Sequence, residues 1–563
     1  MSTKMKEIEF PAASYGEWQE QAIKALKGKP FESLFTKTIE NITLEPLYTQ
    51  ESLIEKLGEQ LDKQVSTIRT LTKSSSFEVA QQIVGTDAAS FFANIDESLA
   101  RGNQVITINS PASFEWTEEI LTKLATYFSE NSFKITIQTN DDTLLSVFNK
   151  IDETKRVDVK GYIVAPEKLE LSSYPNVRTY VSNTLPYHNV GANVVQELAI
   201  ALAQASQLVK EVKDFKSFEE KFFVQFAVDT QFFSEVAKIR AFKVLWKAFA
   251  SAFGNEASAV PVVVETSVRS FSKLDVYVNL LRAGNEAFSA AIGGADVITV
   301  HPHDCLTKIT DQSVRIARNV SLVTKEESHV LNVLDPAGGS YFVESLTADY
   351  VKAAWALFLE IENAGGLTTY TAINEQIEEV YAARIKAVET RKHSLIGTNI
   401  YANPVDELPI EENSQFALVK RLAIPFEDLR ASFKEAVIKP AILTYGQLKN
   451  YKPRADFVQG VFATAGVVAE QTEGFQSIEE AKAWLSKTEV NYVVVAATDD
   501  DTKMLIPALL ENKKASIILD AAGKYKEEQS AWLTAGLNGF IFAGQNIVQK
   551  LNDVVVSVKG AQQ

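Results

Sequence analysis

Eight short runs of branched apolar residues recur between residues 77 and 302, each separated from the next by a longer connecting stretch. They are FEVAQQIVG (77–85), QVITINS (104–110), KITIQT (134–139), GYIVA (161–165), RTYVSN (178–183), FVQFAVD (223–229), PVVVETS (261–267) and DVITVHP (296–302). Most are nearly continuous in apolar character rather than alternating. That pattern marks strands buried on both faces, as parallel strands are. Parallel strands need long crossover connections, and helical stretches such as VGANVVQELAIALAQASQLVKEV and FFSEVAKIRAFKVLWKAFASAF supply them. Eight strands with intervening helices is the count of a (β/α)₈ TIM barrel. An open doubly wound sheet is the alternative, because a strand count does not prove closure.

At 563 residues the chain exceeds one such barrel. The barrel is assigned to 75–400, with the largely helical 303–400 completing its outer layer. Residues 401–438 hold Pro404, Pro409 and Pro425 and are expected to form a linker. Over 439–563 a second pattern begins: PAILTYG, GVVAEQ, YVVVAAT, ASIILDA and GFIFAG alternate with helices such as SIEEAKAWLSK. This predicts a flavodoxin-like, doubly wound domain. Residues 1–74 form an N-terminal arm, where Ser14 and Glu17 have capping-box spacing and Gly28 ends the predicted helix. An arm rich in Phe, Leu and Tyr is expected to wrap its own barrel or a partner subunit.

Composition narrows the function classes. A formal net charge of −16 disfavours nucleic acid and anionic membrane surfaces, while leaving room for a local basic pocket. Cys305 is the single cysteine, so neither an intrachain disulfide nor a cysteine-based zinc site is available. The opening MSTKMKEIEF lacks a signal-peptide core, and no apolar run approaches the roughly 20 residues of a membrane span. The expected location is the cytoplasm.

Five strings stand out by chemistry and order. VAKIRAFKVLWKAF (236–249) is a helix carrying Arg240 and Trp246. GGADVITVHPHD (293–304) is a strand ending at His301 and His303; these two alone do not make a metal site. SVRIARN (313–319) opens a helix with Arg315 and Arg318, either ion-pair partners or anion ligands. DPAGGSYFVESLT (335–347) is a turn-rich loop leading into a helix that continues to LEIENAGG (359–366). YHNVGAN (187–193) places His188 at a predicted strand end, where barrel enzymes keep catalytic residues.

Taken in this order and over this span, the first four strings resemble the methylmalonyl-CoA mutase family. The resemblance covers nearly the whole chain and is most specific over 181–400. It implies a (β/α)₈ barrel followed by a cobalamin-binding domain. The implied reaction interconverts methylmalonyl-CoA and succinyl-CoA, with adenosylcobalamin supplying the radical chemistry. The arm resembles the start of the small subunit of heterodimeric bacterial enzymes, which implies a large catalytic subunit as partner.

Measured against that family, the machinery departs in several places. Catalytic members hold cobalt through the His of a D-x-H-x-x-G loop, oriented by its Asp. The matching segment here, TYGQLKNYKPRADFV (444–458), has no His, and no histidine follows His393. ATDDDTK (497–503) and ILDAAGK (518–524) replace the small-residue and paired-glycine loops, and FIFAGQN (540–546) matches only in part. No counterpart of the Tyr-Pro-Arg-Thr-like segment lies between Leu47 and Glu78. YHNVGAN keeps Tyr187 and His188 but not the acid of the family's Y-H-x-x-E-A-G-A. His188 is therefore either structural or a vestigial substrate contact.

These departures imply a chain with no catalytic residue, cofactor ligand or metal of its own. The leading expectation is the small, non-catalytic subunit of an adenosylcobalamin-dependent mutase, the cofactor being held by the partner. The alternatives are a regulatory module binding a CoA-like ligand in the barrel, or an acyl-CoA mutase active alone with altered cofactor binding.

Overall fold

The structure, a computed structural model, describes residues 13–511 and 513–562; the opening MSTKMKEIEF lies outside them. The barrel strands are β1 (Glu78–Gln82), β2 (Val105–Asn109), β3 (Ser132–Thr136), β4 (Gly161–Val164), β5 (Val177–Arg178 and Tyr180–Asn183), β6 (Phe222–Val228), β7 (Val262–Thr266) and β8 (Val297–Thr299). All neighbours pair in parallel, and β8 returns to β1 through Ile298 and Val79. β5 is interrupted at Thr179. Its first piece pairs with β4 through Val177 and Gly161, its second with β6 through Tyr180 and Phe222. The Thr179 N–H donates to Lys221 O at 3.1 Å where the strand changes partner. The sheet thereby closes on itself, and the predicted barrel is found.

Ala80, Val105, Val164, Phe223, Val263 and Val297 form one buried cluster, with Tyr162 and Val181 packed against it. These residues come from seven of the eight strands and touch one another, so they face the barrel axis. The outward-facing residues pack under the helices; Val224, Phe226, Leu198, Phe242 and Trp246 belong to the main core. The helix Val194–Val212 starts at an Asn193–Gln196 capping box, and Phe232–Ala252 buries most of its length.

The second domain has β9 (Pro440–Thr444), β10 (Glu470–Gln471), β11 (Tyr492–Ala496), β12 (Ile518–Ala522) and β13 (Gly539–Ile541). Their order, β10-β9-β11-β12-β13, is the flavodoxin-like 2-1-3-4-5. Within 401–438 the structure adds a helix, Ile424–Glu435, that the prolines disguise. Pro425 sits in its first turn, where its missing N–H costs no bond. Phe426, Leu429 and Phe433 of this helix join the second domain's core.

In the arm, the Ser14–Glu17 capping box opens the helix Tyr15–Ala25, which buries no residue of its own. From Thr36 onward the arm docks on the barrel. Ile42 and Leu44 pack on the core, Asn193 Nδ2 donates to Ile39 O at 3.4 Å, and Lys56 pairs with Asp349 at 2.7 Å.

Candidate functional site

His188 lies in a short helix just beyond β5, at the carboxyl end of the barrel, and is fully buried. Its Nδ1 is 2.8 Å from Glu197 Oε1 and its Nε2 is 2.7 Å from Ser267 Oγ. A neutral ring with its proton on Nδ1 satisfies both bonds: Nδ1–H donates to the carboxylate and the Ser267 hydroxyl donates to Nε2. Burial, reinforced by the nearby Arg269 charge, pushes the His188 pKa down to about 4. Burial alone would raise the Glu197 pKa; Lys238 and His188 outweigh it and hold the carboxyl at about 2. YHNVGAN itself carries no acid, and the carboxylate that meets His188 comes from Glu197 of the following helix.

Ser267, His188 and Glu197 have the connectivity of an acyl-transfer triad. The hydroxyl, however, belongs to a buried side chain and also accepts the Arg269 N–H at 3.1 Å. Neither Ser267 nor His188 lines the cavity beside them. Around them, Lys238 donates to Glu197 at 3.1 Å and to Ala227 O at 2.6 Å. Arg269 binds Asp229 through Nη2 and Nε, at 2.6 and 3.0 Å, and reaches His188 O and Ala192 O through Nη1. This network ties the ends of β5, β6 and β7 together.

Within the lumen, the Tyr162 and Phe223 ring centroids are 5.2 Å apart. Toward the carboxyl end, Lys134 of β3 pairs with Glu265 of β7 at 2.5 Å. Gln225 and His301 hydrogen-bond the same carboxylate at 2.7 and 3.0 Å. Burial would raise the Glu265 pKa, but Lys134 and His301 hold it far below the usual carboxylate range. His303 lies instead against Tyr277, with ring centroids 5.3 Å apart. Among the described residues no group of three or more His, Cys, Asp or Glu side chains converges as a metal site.

At the carboxyl edge of the second sheet, beside the switch point between β9 and β11, lies Arg454. Its Nη1 donates to Ala497 O and Tyr525 Oη, both at 2.7 Å, and its Nη2 meets Asp499 at 2.5 Å. Asp499, Asp500 and Asp501 form the first turn of the helix Asp499–Leu510, where acidic groups complement the helix dipole.

The remaining strings resolve as braces. Buried Arg240 pairs with Asp335 and, at 2.5 Å, with buried Glu344, joining VAKIRAFKVLWKAF to DPAGGSYFVESLT. Glu344 also accepts the Gly339 N–H at 3.0 Å and Gln64 Nε2 at 2.6 Å. Arg318 is buried and bidentate to Glu97, at 3.0 and 3.1 Å, whereas Arg315 is exposed. Residue-by-residue reading missed Glu197, Glu265 and Arg454. Their partners lie nine to 131 residues away, and no local spacing marks them.

A methylmalonyl-CoA mutase family model matches residues 86–450. The chain is 27% identical to the methylmalonyl-CoA mutase small subunit of Porphyromonas gingivalis, over 96% of this chain and 97% of that one. It is 28% identical to the methylmalonyl-CoA mutase of Cereibacter sphaeroides, over 76% of this chain and 70% of that protein. A probable small subunit from Mycobacterium tuberculosis is 33% identical over about half of each chain. The family model spans well over half of the chain, and the chain belongs to the methylmalonyl-CoA mutase family.

Proposed function

We propose that this chain is the small, non-catalytic subunit of a heterodimeric, adenosylcobalamin-dependent methylmalonyl-CoA mutase, acting in the cytoplasm. The large subunit would hold the cobalamin and perform the isomerisation. This chain would stabilise it through the arm and the barrel, and contribute no catalytic residue, cofactor ligand or metal.

The observation that carries the reading is the closed carboxyl edge of the second domain. Arg454 bonds across the ends of β11 and β12 to Ala497, Asp499 and Tyr525. The domain contains no imidazole, since no histidine follows His393. Three aspartates open the Asp499 helix, where a phosphate-bearing nucleotide tail would meet like charge. These residues do not fit a corrinoid held by a protein histidine.

The barrel supports the same reading. Tyr162, Phe223 and the Lys134–Glu265 pair lie on its axis, where a thioester threaded through the barrel would have to pass. With both ring nitrogens bonded inside the protein, His188 is assigned a structural role. The arm helix Tyr15–Ala25 has no fully buried residue, its Trp18 packs edge-on against Phe31 within the arm, and its exposed face is available to a partner. Among the described residues no helix is long and apolar enough to cross a membrane.

Co-expression with a large subunit of the family tests this. A stable one-to-one complex at micromolar concentration is expected; separate elution of the two chains would refute the assignment.

A further inference from the structure

A cavity of about 590 Å³ lies between the arm and the carboxyl end of the barrel. The arm's Thr36–Glu40 segment forms one wall, and the helices beginning at Phe232 and Tyr341 and the helix Ala372–Glu389 form the others. Its size falls within the usual range for small-molecule sites, about 300–1,000 Å³.

Arg384 lines this cavity from the helix Ala372–Glu389. Arg240, Arg269, Arg318 and Arg421 each grip a carboxylate. Among the described residues Arg384 has no hydrogen-bonding or ion-pair partner, and its Nε is a buried donor left unmade. Burial lowers its pKa, although only to about 10, so the group keeps its charge at neutral pH. Arg384 is half-buried, its Nε is the buried donor, and a ligand oxyanion in the cavity would give that donor an acceptor.

The carboxylates already near it do not serve. Asp229 is held by Arg269, Ser270 and the Thr230 N–H. Glu40 lines the cavity from the arm without forming an ion pair with Arg384. Lys37 and Lys392 add positive groups to the lining, the lining carboxylates Glu197 and Glu235 are both paired with Lys238, and Phe232, Phe342 and Leu346 make another part of the wall apolar.

We propose that this cavity is a binding site for a small organic carboxylate, its carboxyl group on Arg384 and its short hydrocarbon body against Phe232, Phe342 and Leu346. Because the arm supplies a wall, an occupied site would also fasten the arm to the barrel. Glu197, Asp229 and Arg269 of the His188 network line this cavity, whereas no residue of 439–563 and none of the axis cluster does, and the proposal does not depend on the subunit assignment.

Isothermal titration of the full chain at neutral pH with propionate, benzoate and inorganic phosphate tests the proposal. At least one of the two carboxylates should bind with a Kd of about 1 mM or tighter, and phosphate, lacking an apolar body, about tenfold more weakly. Arg384→Gln should abolish binding, while Arg315→Gln, on the exposed surface, should leave it unchanged. Glu40→Gln, which removes a competing carboxylate, should tighten binding about threefold and does not depend on the Arg384 variant folding. No carboxylate binding by the wild type at about 10 mM, equal binding of phosphate, unaltered binding by Arg384→Gln, or weaker binding by Glu40→Gln would each overturn it.

Discussion

Arg454 and Tyr525, 71 residues apart, meet at 2.7 Å across the carboxyl edge of the second sheet. The same guanidinium holds Ala497 O and Asp499, so one side chain fastens the ends of two neighbouring strands. Arg454→Ala should lower the unfolding free energy by about 1–2 kcal/mol, the scale of a few partly exposed hydrogen bonds rather than of a buried ion pair. Chemical denaturation of the full chain measures this. The variant should still leave a cobalamin spectrum unchanged, because removing the arginine supplies no axial ligand.

The Arg240–Glu344 contact makes the opposite case in energy. Both side chains are fully buried, and Arg240 also pairs with Asp335. Arg240→Ala would strand two buried carboxylates and should cost about 3–5 kcal/mol. Arg240→Met/Glu344→Leu/Asp335→Asn, which removes the charges together, should recover a large part of that loss. Denaturant midpoints of the two variants provide the comparison.

His188 gives a pH signature. Its folded pKa is about 4, against the 6.5 of an ordinary imidazole. A base with a depressed folded pKa stabilises the protein fully above its unfolded pKa. That stability is lost as pH falls toward the folded value. The advantage of wild type over His188→Gln should therefore shrink by about 2–3 kcal/mol between pH 7 and pH 4.5. Glu235, whose pKa burial raises to about 7, acts in the other direction in both proteins, so the difference between them is the diagnostic quantity. Urea melts across that pH range would show the narrowing gap.

The arm helix predicts a separation of stability from assembly. Tyr15–Ala25 buries no residue in the chain itself, while the arm from Thr36 is fastened to the barrel. Deleting residues 1–28 should leave the melting temperature of the isolated chain unchanged. Binding to a large subunit should weaken about tenfold or more, or about 1.4 kcal/mol. Calorimetric melting and titration against that subunit measure the two effects separately.

Much of the scaffold is legible in the chain because parallel strands buried on both faces leave continuous β-branched runs. The capping box at Ser14 is equally local. What depends on tertiary partnering is not. The break at Thr179 arises because β5 changes partner in mid-strand, which no run of six residues reveals. The helix Ile424–Glu435 hides behind Pro425, which reads as a breaker until it proves to occupy a first turn. At the candidate site the sequence shows that YHNVGAN carries no acid, but not that Glu197 of the next helix meets His188. In the second domain it likewise shows an absent histidine, whereas the Arg454 brace standing at that edge depends on residues 43 to 71 positions later.

The proposed role has this chain support a cobalamin enzyme without holding cobalamin. Adenosylcobalamin titrated into the isolated chain, followed by visible absorbance and by the corrinoid retained after gel filtration, tests it most directly. The account predicts no spectral change and no retained corrinoid for the chain alone, and one corrinoid per heterodimer once the large subunit is added. Stoichiometric retention by the isolated chain would contradict it.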